Sequence, residues 1–312
     1  MNKKKTFVFF LMLTLIFSTA KSENSTSSFD TIKIMSFNIQ IFGVSKMAKP
    51  EVVEILVDIV SQADIIAVQE VRSVRPDPVE QFMAMLPDRY AYIIGPRQGR
   101  SSSKEQYWVI YDSEKVTVQQ EDSWNDEEDI FERSPFAVYF RTNGISPENS
   151  PENLPEKSND MFDFILLNNH IQPSAAEKEI RALPHVVTYY IDLWNDPDVL
   201  VVGDFNADGR YFNKTLLDSI FPPDEYFIII TDEDTTVAAS HNTYDRFIIT
   251  SGAEEYFTGN FGVTRFDELY DFDNLSITPV QVSDHYPIWA EFRTEREPIA
   301  AERESIAEME EF

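Results

Sequence analysis

Residues 199–206 read VLVVGDFN. Four apolar residues in unbroken succession, ended by a glycine, describe a short strand buried on both faces, because a strand with one wet face would alternate. A carboxylate, Asp204, and an amide, Asn206, follow at once. The arrangement repeats along the chain. IKIMSFN (32–38) closes on Asn38, IIAVQE (65–70) on Glu70 and FILLNNH (164–170) on Asn169 and His170. Asp245 precedes RFIIT (246–250), and Asp284-His285 precedes YPIWAEF (286–292). Each polar residue alone would serve as a turn or cap. Their number and chemical match make them one candidate site, since strand ends opening into loops are where α/β proteins place chemistry.

Working outward, strand composition is expected at 31–39, 65–69, 107–111, 136–141, 162–168, 199–202, 247–250 and 287–292. Helical periodicity spans 50–60, with Val53, Ile55, Leu56 and Ile59 facing inward. A second helix is predicted to start at Ser174, where Ser174-Ala-Ala-Glu177 reads as a capping box. Pro184 should kink or split it. The fold class that follows is α/β (α+β), with sheets packed together and helices outside.

The chain has 312 residues, 43% hydrophobic and 13% aromatic, enough for a sizeable core and too apolar for a disordered protein. Its formal net charge of -28 excludes a protein whose whole surface grips nucleic acid, though not a local basic patch. There are no cysteines, so disulfides, thiolate metal sites and cysteine nucleophiles are excluded. Lys3, Lys4 and Lys5, an apolar run over 6–17 and Ser18-Thr19-Ala20 read as an export signal over residues 1–20, giving a secreted or periplasmic product. Residues 21–29 read as a flexible leader, 30–294 as one catalytic domain with a surface loop at 143–160, and 295–312 as an acidic tail. The acidic run 121–132 reads most simply as a solvated loop, and Tyr107 and Trp108 as core strand residues. His185 in mid-helix and His241 in a polar loop are expected to be structural or solvent-facing.

Carboxylates and amides without thiols make a site for a hard cation held by oxygen. Two histidines beside carboxylates make a site for proton transfer near neutral pH. An anionic phosphodiester needs both, because its transition state gathers further negative charge. Phosphodiester hydrolysis is therefore the inferred chemistry.

GDFNADGRYF (203–212), YDR (244–246) and SDHYP (283–287) resemble signatures of the endonuclease/exonuclease/phosphatase superfamily. QEVR (69–72), SKEQYW (103–108) and NHIQPSAAEKEI (169–180) narrow the resemblance to the deoxyribonuclease I family, over nearly the whole span from Ile32 to Phe292. The resemblance implies a four-layer αββα sandwich, two mixed β-sheets face to face with helices outside. It also implies endonucleolytic cleavage of double-stranded DNA to 5′-phosphates by a monomer, assisted by magnesium (or manganese) and calcium. It makes His170 the acid that protonates the leaving 3′-oxygen, with Glu105 orienting it, and His285 the base that activates water, with Asp245 as partner. Glu70 and Asn38 resemble metal ligands, and Asp204, Asn206 and Asp284 complete the metal and phosphate site. Arg72, Arg100, Lys104, Arg133 and Tyr244 match phosphate- or DNA-contacting positions. Asp234 and Thr236 match a structural calcium loop. Asp129 and Phe131 fit a second calcium site in which Ser134 stands where an acid is expected, and Ser103 replaces the family's groove-stacking tyrosine.

Two other classes remain open on sequence alone. One is a phosphodiesterase of the same superfamily acting on sphingomyelin or a phosphoinositide, against which the KEQY (104–107) and HIQPS (170–174) blocks speak. The other is a non-enzymatic binding module that keeps the fold, against which the intact histidines and carboxylates speak. The acidity also suggests adaptation to a salty environment.

Overall fold

The computed structural model describes residues 30–143 and 161–296. The export signal, the leader, nearly all of the 143–160 loop and the tail beyond Arg296 lie outside the described residues. Among the described residues, twelve strands alternate with helices: β1 (Thr31–Phe42), β2 (Ile65–Val71), β3 (Tyr90–Ile94), β4 (Gln106–Asp112), β5 (Val116–Ser123), β6 (Phe136–Thr142), β7 (Asp163–His170), β8 (Val199–Asp204), β9 (Tyr226–Ile228), β10 (Asp245–Thr250), β11 (Phe257–Val263) and β12 (Ile288–Arg293). They form two six-stranded mixed sheets, ordered β11-β12-β1-β2-β4-β3 and β5-β6-β7-β8-β10-β9. The β1–β2 and β7–β8 pairs are parallel and the others antiparallel.

Period-two alternation builds the layers. Ile32, Ile34, Ala67, Val109, Leu166, Val202, Phe247 and Ile288 meet between the sheets. Met35, Phe37, Ile66 and Val68 point the other way, onto the helix α2 (Pro50–Val60), which follows the single turn α1 (Val44–Met47) and precedes α3 (Asp77–Met83). On the second sheet Ile165, Leu167, Val199 and Val201 face Ile180, Leu183, Val187 and Tyr190 of α4 (Ala176–Trp194). The order is helix, sheet, sheet, helix, as expected. No helix among the described residues is long and apolar enough to cross a membrane.

Three expectations are corrected. Ser174 does not cap α4: it lies in a 3₁₀ turn, Pro173–Ala175, and no side chain caps the helix start. Glu177 instead pairs with Arg181, while buried Glu179 accepts the N–H groups of Gln172 and Glu132, each at 3.0 Å. Of the kink or split expected at Pro184, the split does not occur: the helix runs unbroken for 19 residues. A proline inside a helix costs about 3 kcal/mol, whereas each large apolar side chain fully buried stabilises by about 1.5–3 kcal/mol. Ile180, Leu183, Val187 and Tyr190 together outweigh the lost bond. Finally, the acidic run 121–132 is only partly a solvated loop. Glu121–Ser123 belong to β5, and Asp126 accepts the N–H of Phe131.

Candidate active site

The inner faces of both sheets end at one edge, and their alternation selects the site. Asn38 continues the inward series of Ile32 and Ile34, and His170 continues Phe164, Leu166 and Asn168. Asp204 continues Leu200 and Val202, Asp245 precedes inward Phe247, and Glu105 precedes inward Tyr107. Glu70 has the wrong parity. The pairing of β2 with β4 shifts register between Val68 and Val71, and Glu70 lies in the left-handed region at φ 65°. That irregularity turns its carboxylate back to the edge, within 3.3 Å of the Asn38 amide.

Behind this edge the sheets are tied by polar side chains. Gln69 Nε2 donates to Asn168 Oδ1 across the sheets at 2.7 Å, and Asn168 Nδ2 returns a bond to the Val68 carbonyl. Gly203 sits at φ 139°, where a Cβ would meet the Asn169 carbonyl oxygen at 1.9 Å. Only glycine lets β7 and β8 close up beneath Asp204.

Each histidine is held by its own carboxylate. His170 Nδ1 lies 3.0 Å from Glu105 Oε2 and His285 Nδ1 lies 2.8 Å from Asp245 Oδ2. Their other nitrogens converge: Nε2 of His170 and Nε2 of His285 each lie 3.5 Å from Oδ2 of Asp204. Two such contacts to one atom cap the separation of the two Nε2 atoms at twice that distance, within reach of a single phosphate. Asn38 Nδ2 donates to the same oxygen at 3.0 Å, and the Asn206 N–H donates to Oδ1 at 2.9 Å.

The electrostatics follow from burial and pairing. Burial alone would push the Glu105 carboxyl up, but His170 and Arg133 beside it hold it down to about 2. Burial likewise opposes ionisation of Asp204, yet His285 and His170 keep it below its ordinary value. Burial disfavours charge on His285, and the facing Asp245 and Asp204 overcome this and raise it well above the usual imidazole range. Burial raises Asp245, with His285 opposing.

Two trios place their donor atoms within 4.8 Å of one another: Glu70, Glu105 and His170, and Asp204, Asp245 and His285. Oδ1 of Asp245 and Oδ1 of Asp284 are buried without a hydrogen-bond partner in the structure. Orphaned buried carboxylate oxygens, that of Asp245 in one trio with Asp204, fit a hard, oxygen-seeking cation. Asn206 occupies the left-handed region at φ 49° and anchors its amide on the Ile171 carbonyl.

Among residues expected to contact DNA, the structure separates two groups. Lys104 is exposed, Tyr244 is half-buried with its ring 6.3 Å from that of His285, and Arg72 pairs with Glu70 Oε2 at 3.0 Å. Arg133 and Arg100 are engaged internally. Arg133 is buried, pairing with Glu105 Oε1 at 2.8 Å and donating from Nε to the His170 carbonyl. Arg100 Nη2 donates to the carbonyl and carboxylate of Asp129 and to the Phe131 carbonyl, at 2.8, 2.9 and 3.0 Å. A guanidinium thus occupies, in this structure, the oxygen cradle formed by Asp129 and Phe131. Asp234 Oδ1 closes its loop by accepting from the N–H groups of Thr236 and Asn242 and from the Thr236 hydroxyl. His241 and His185 are exposed, and His241 Nε2 lies 2.9 Å from the Asp232 carbonyl.

Several supporting residues escaped the sequence reading. Lys46 is buried, and its Nζ donates to the carbonyls of Ile39 and Val282 at 2.6 and 2.7 Å. It joins the end of β1 to the segment carrying Asp284 and His285. Burial pushes it down to about 8, opposed by Asp284 and Glu70. Ser283 Oγ donates to the Asn38 carbonyl and accepts the His285 N–H. The Tyr107 hydroxyl accepts the His170 N–H at 2.8 Å. Ser283 and Tyr107 lay inside quoted motifs; nothing local marked Lys46.

The profile of the Endonuclease/Exonuclease/phosphatase family matches residues 35–285. Deoxyribonuclease-1-like 1 of Homo sapiens is 32% identical over 270 residues, covering 84% of each chain. Deoxyribonuclease-1 of Gallus gallus is 33% identical over 275 residues, covering 83% of this chain and 91% of its own. A solved endonuclease/exonuclease/phosphatase from Bacteroides vulgatus superposes with a TM-score of 0.56 at 14% identity, covering 85% of this chain and all of that one, which speaks for the fold alone. With the paired histidines, the carboxylate edge and this extent of similarity together, the chain belongs to the endonuclease/exonuclease/phosphatase family and, within it, to the deoxyribonuclease I family.

Proposed function

We propose that this protein is an exported, metal-dependent endonuclease that hydrolyses phosphodiester bonds of duplex DNA to 5′-phosphate ends. The observation that carries the reading is the convergence of His170 and His285 on one oxygen of Asp204, each ring backed by a separate carboxylate. A phosphate seated between the rings meets a proton acceptor on one side and a proton donor on the other.

His285 takes a proton from the water that attacks phosphorus. Asp245 on Nδ1 and Asp204 near Nε2 stabilise the imidazolium that results. As the new P–O bond forms, the P–O3′ bond breaks, and His170 gives its proton to the departing 3′-oxygen. Glu105 fixes the His170 tautomer, because Nδ1 faces the carboxylate and leaves Nε2 for the substrate. Arg133 and Tyr107 hold Glu105 and the His170 backbone in turn. Glu70, Asn38, Asp204, Asn206 and Asp284 would hold a magnesium or manganese ion, which supplies charge neutralisation on the phosphate. Asp234 and Thr236 are the candidates for a structural calcium. Lys104, Arg72 and Tyr244 are the contacts offered to DNA, a local patch on a chain of net charge -28.

The test is nicking of supercoiled plasmid with magnesium, calcium, both or EDTA, comparing wild type with His285→Ala. Sphingomyelin and inositol phosphates are assayed in parallel. Cleavage confined to DNA, dependent on divalent ions and lost in the variant, is expected. Equal cleavage in excess EDTA, or a preference for a lipid substrate, overturns the reading.

A further inference from the structure

On the α4 side of the second sheet, lined by residues outside the histidine and carboxylate set, lies a cavity of about 350 Å³. Trp124, Ile130, Phe131, Ala182, Val186 and Tyr189 give it an apolar and aromatic lining. Trp124 meets Tyr189 at 4.9 Å and 80°, and His185 at 5.7 Å and 89°. Rings set nearly perpendicular expose π-faces in two directions, the arrangement that accepts an organic cation. Asp126, Glu127 and Glu128 line the same cavity. Among the described residues, no lysine or arginine pairs with these three carboxylates; Arg100 pairs with Asp129 and Glu132 and donates to the Phe131 carbonyl.

We propose that this cavity is a docking site for a basic peptide segment, which inserts a lysine or arginine side chain. The methylene stem would lie on Ile130, Phe131 and Val186, and the cationic end would meet the Trp124 and Tyr189 rings and the carboxylates. Charge complementarity selects this occupant. An anionic ligand is repelled by three carboxylates, and a purely apolar one would strip water from them without return. The net charge of -28 also draws a cationic partner from a distance.

The experiment titrates the full chain into a fluorescein-labelled oligolysine peptide, followed by anisotropy at about 0.15 M salt, where diffuse surface attraction is screened. Saturable one-to-one binding is expected. Tyr189→Ala and Trp124→Ala keep every charge, and each should weaken binding about tenfold. Glu127→Gln with Glu128→Gln should weaken it and flatten its salt dependence. Should Trp124→Ala fail to fold by circular dichroism, half-exposed Tyr189 decides the matter. Absence of binding by wild type, or equal binding by the aromatic variants, overturns the proposal. Neither result bears on DNA cleavage, which is not the readout.

Discussion

Arg133 places Nη1 2.8 Å from Oε1 of Glu105, the carboxylate oxygen that His170 Nδ1 leaves to it. Both partners are buried, so the pair works as one unit with the imidazole rather than as a surface ion pair. Removing one member of a buried pair costs about 3–5 kcal/mol, and Arg133→Met is expected to fall in that range by chemical denaturation. The pH dependence follows from Glu105. Its folded pKa, about 2, lies below the ordinary 4.5, so its pairing adds stability that is fully present above pH 4.5 and lost as pH falls toward 2. The stability gap between wild type and Glu105→Gln should therefore narrow over that window. A gap unchanged between pH 6 and about pH 2 would contradict the assignment.

His170→Ala and His285→Ala should each lower plasmid nicking about 10²–10⁴-fold; each also leaves a buried carboxylate without its ring, so rates are compared at equal folded fraction. The double variant should be scarcely worse than the poorer single one, since acid and base serve one displacement. Multiplicative losses would show that the rings act in separate steps. Wild-type rates in either single variant would remove that histidine from the mechanism.

The inner strands and the candidate site were legible in sequence for one reason. Strands paired on both sides and buried on both faces carry unbroken apolar runs, and their polar ends stand out against them. Residues 199–206 show this most plainly. The four strands missing from the reading, β3, β5, β9 and β11, are the four sheet edges. VTVQQEDS and FTGNFGV mix polar and apolar residues because an edge strand packs less and must resist pairing with other chains. The long-range ties were illegible for a different reason. Lys46 with the Val282 carbonyl, Gln69 with Asn168, and Arg100 with Asp129 are hydrogen bonds between segments far apart in the chain. No local periodicity records them. The last of these also ties an arginine expected to contact DNA to three protein oxygens.

Asp198 offers a stability test remote from the site. Burial first, and Asp196 next, push its carboxyl up from 3.8 to about 7. A raised folded pKa means that ionisation opposes folding. The penalty is absent below pH 3.8, grows as pH rises, and is complete above about 7. Asp198→Asn should therefore match wild type near pH 4 and exceed it by about 2–4 kcal/mol at pH 8. Equal stability at both values would mean that the carboxylate is better solvated than its burial implies.

Arg100 and calcium give the remaining prediction. Three oxygens, from the Asp129 carboxylate and the carbonyls of Asp129 and Phe131, converge on its Nη2, and Asp129 holds a left-handed backbone at φ 50° to present them. The Asp129 side chain is exposed, so the ion pair itself contributes about 1 kcal/mol or less. What the arginine supplies is a resident cation for a cradle that would otherwise be electronegative. Arg100→Gln should lower the melting temperature by a few degrees and, unlike wild type, should regain it when millimolar calcium is added. Magnesium, which tolerates irregular oxygen cages poorly, should restore less. A calcium response at this loop in the wild-type protein, detected by terbium luminescence quenched in Asp129→Asn, would show instead that the guanidinium gives way to the ion.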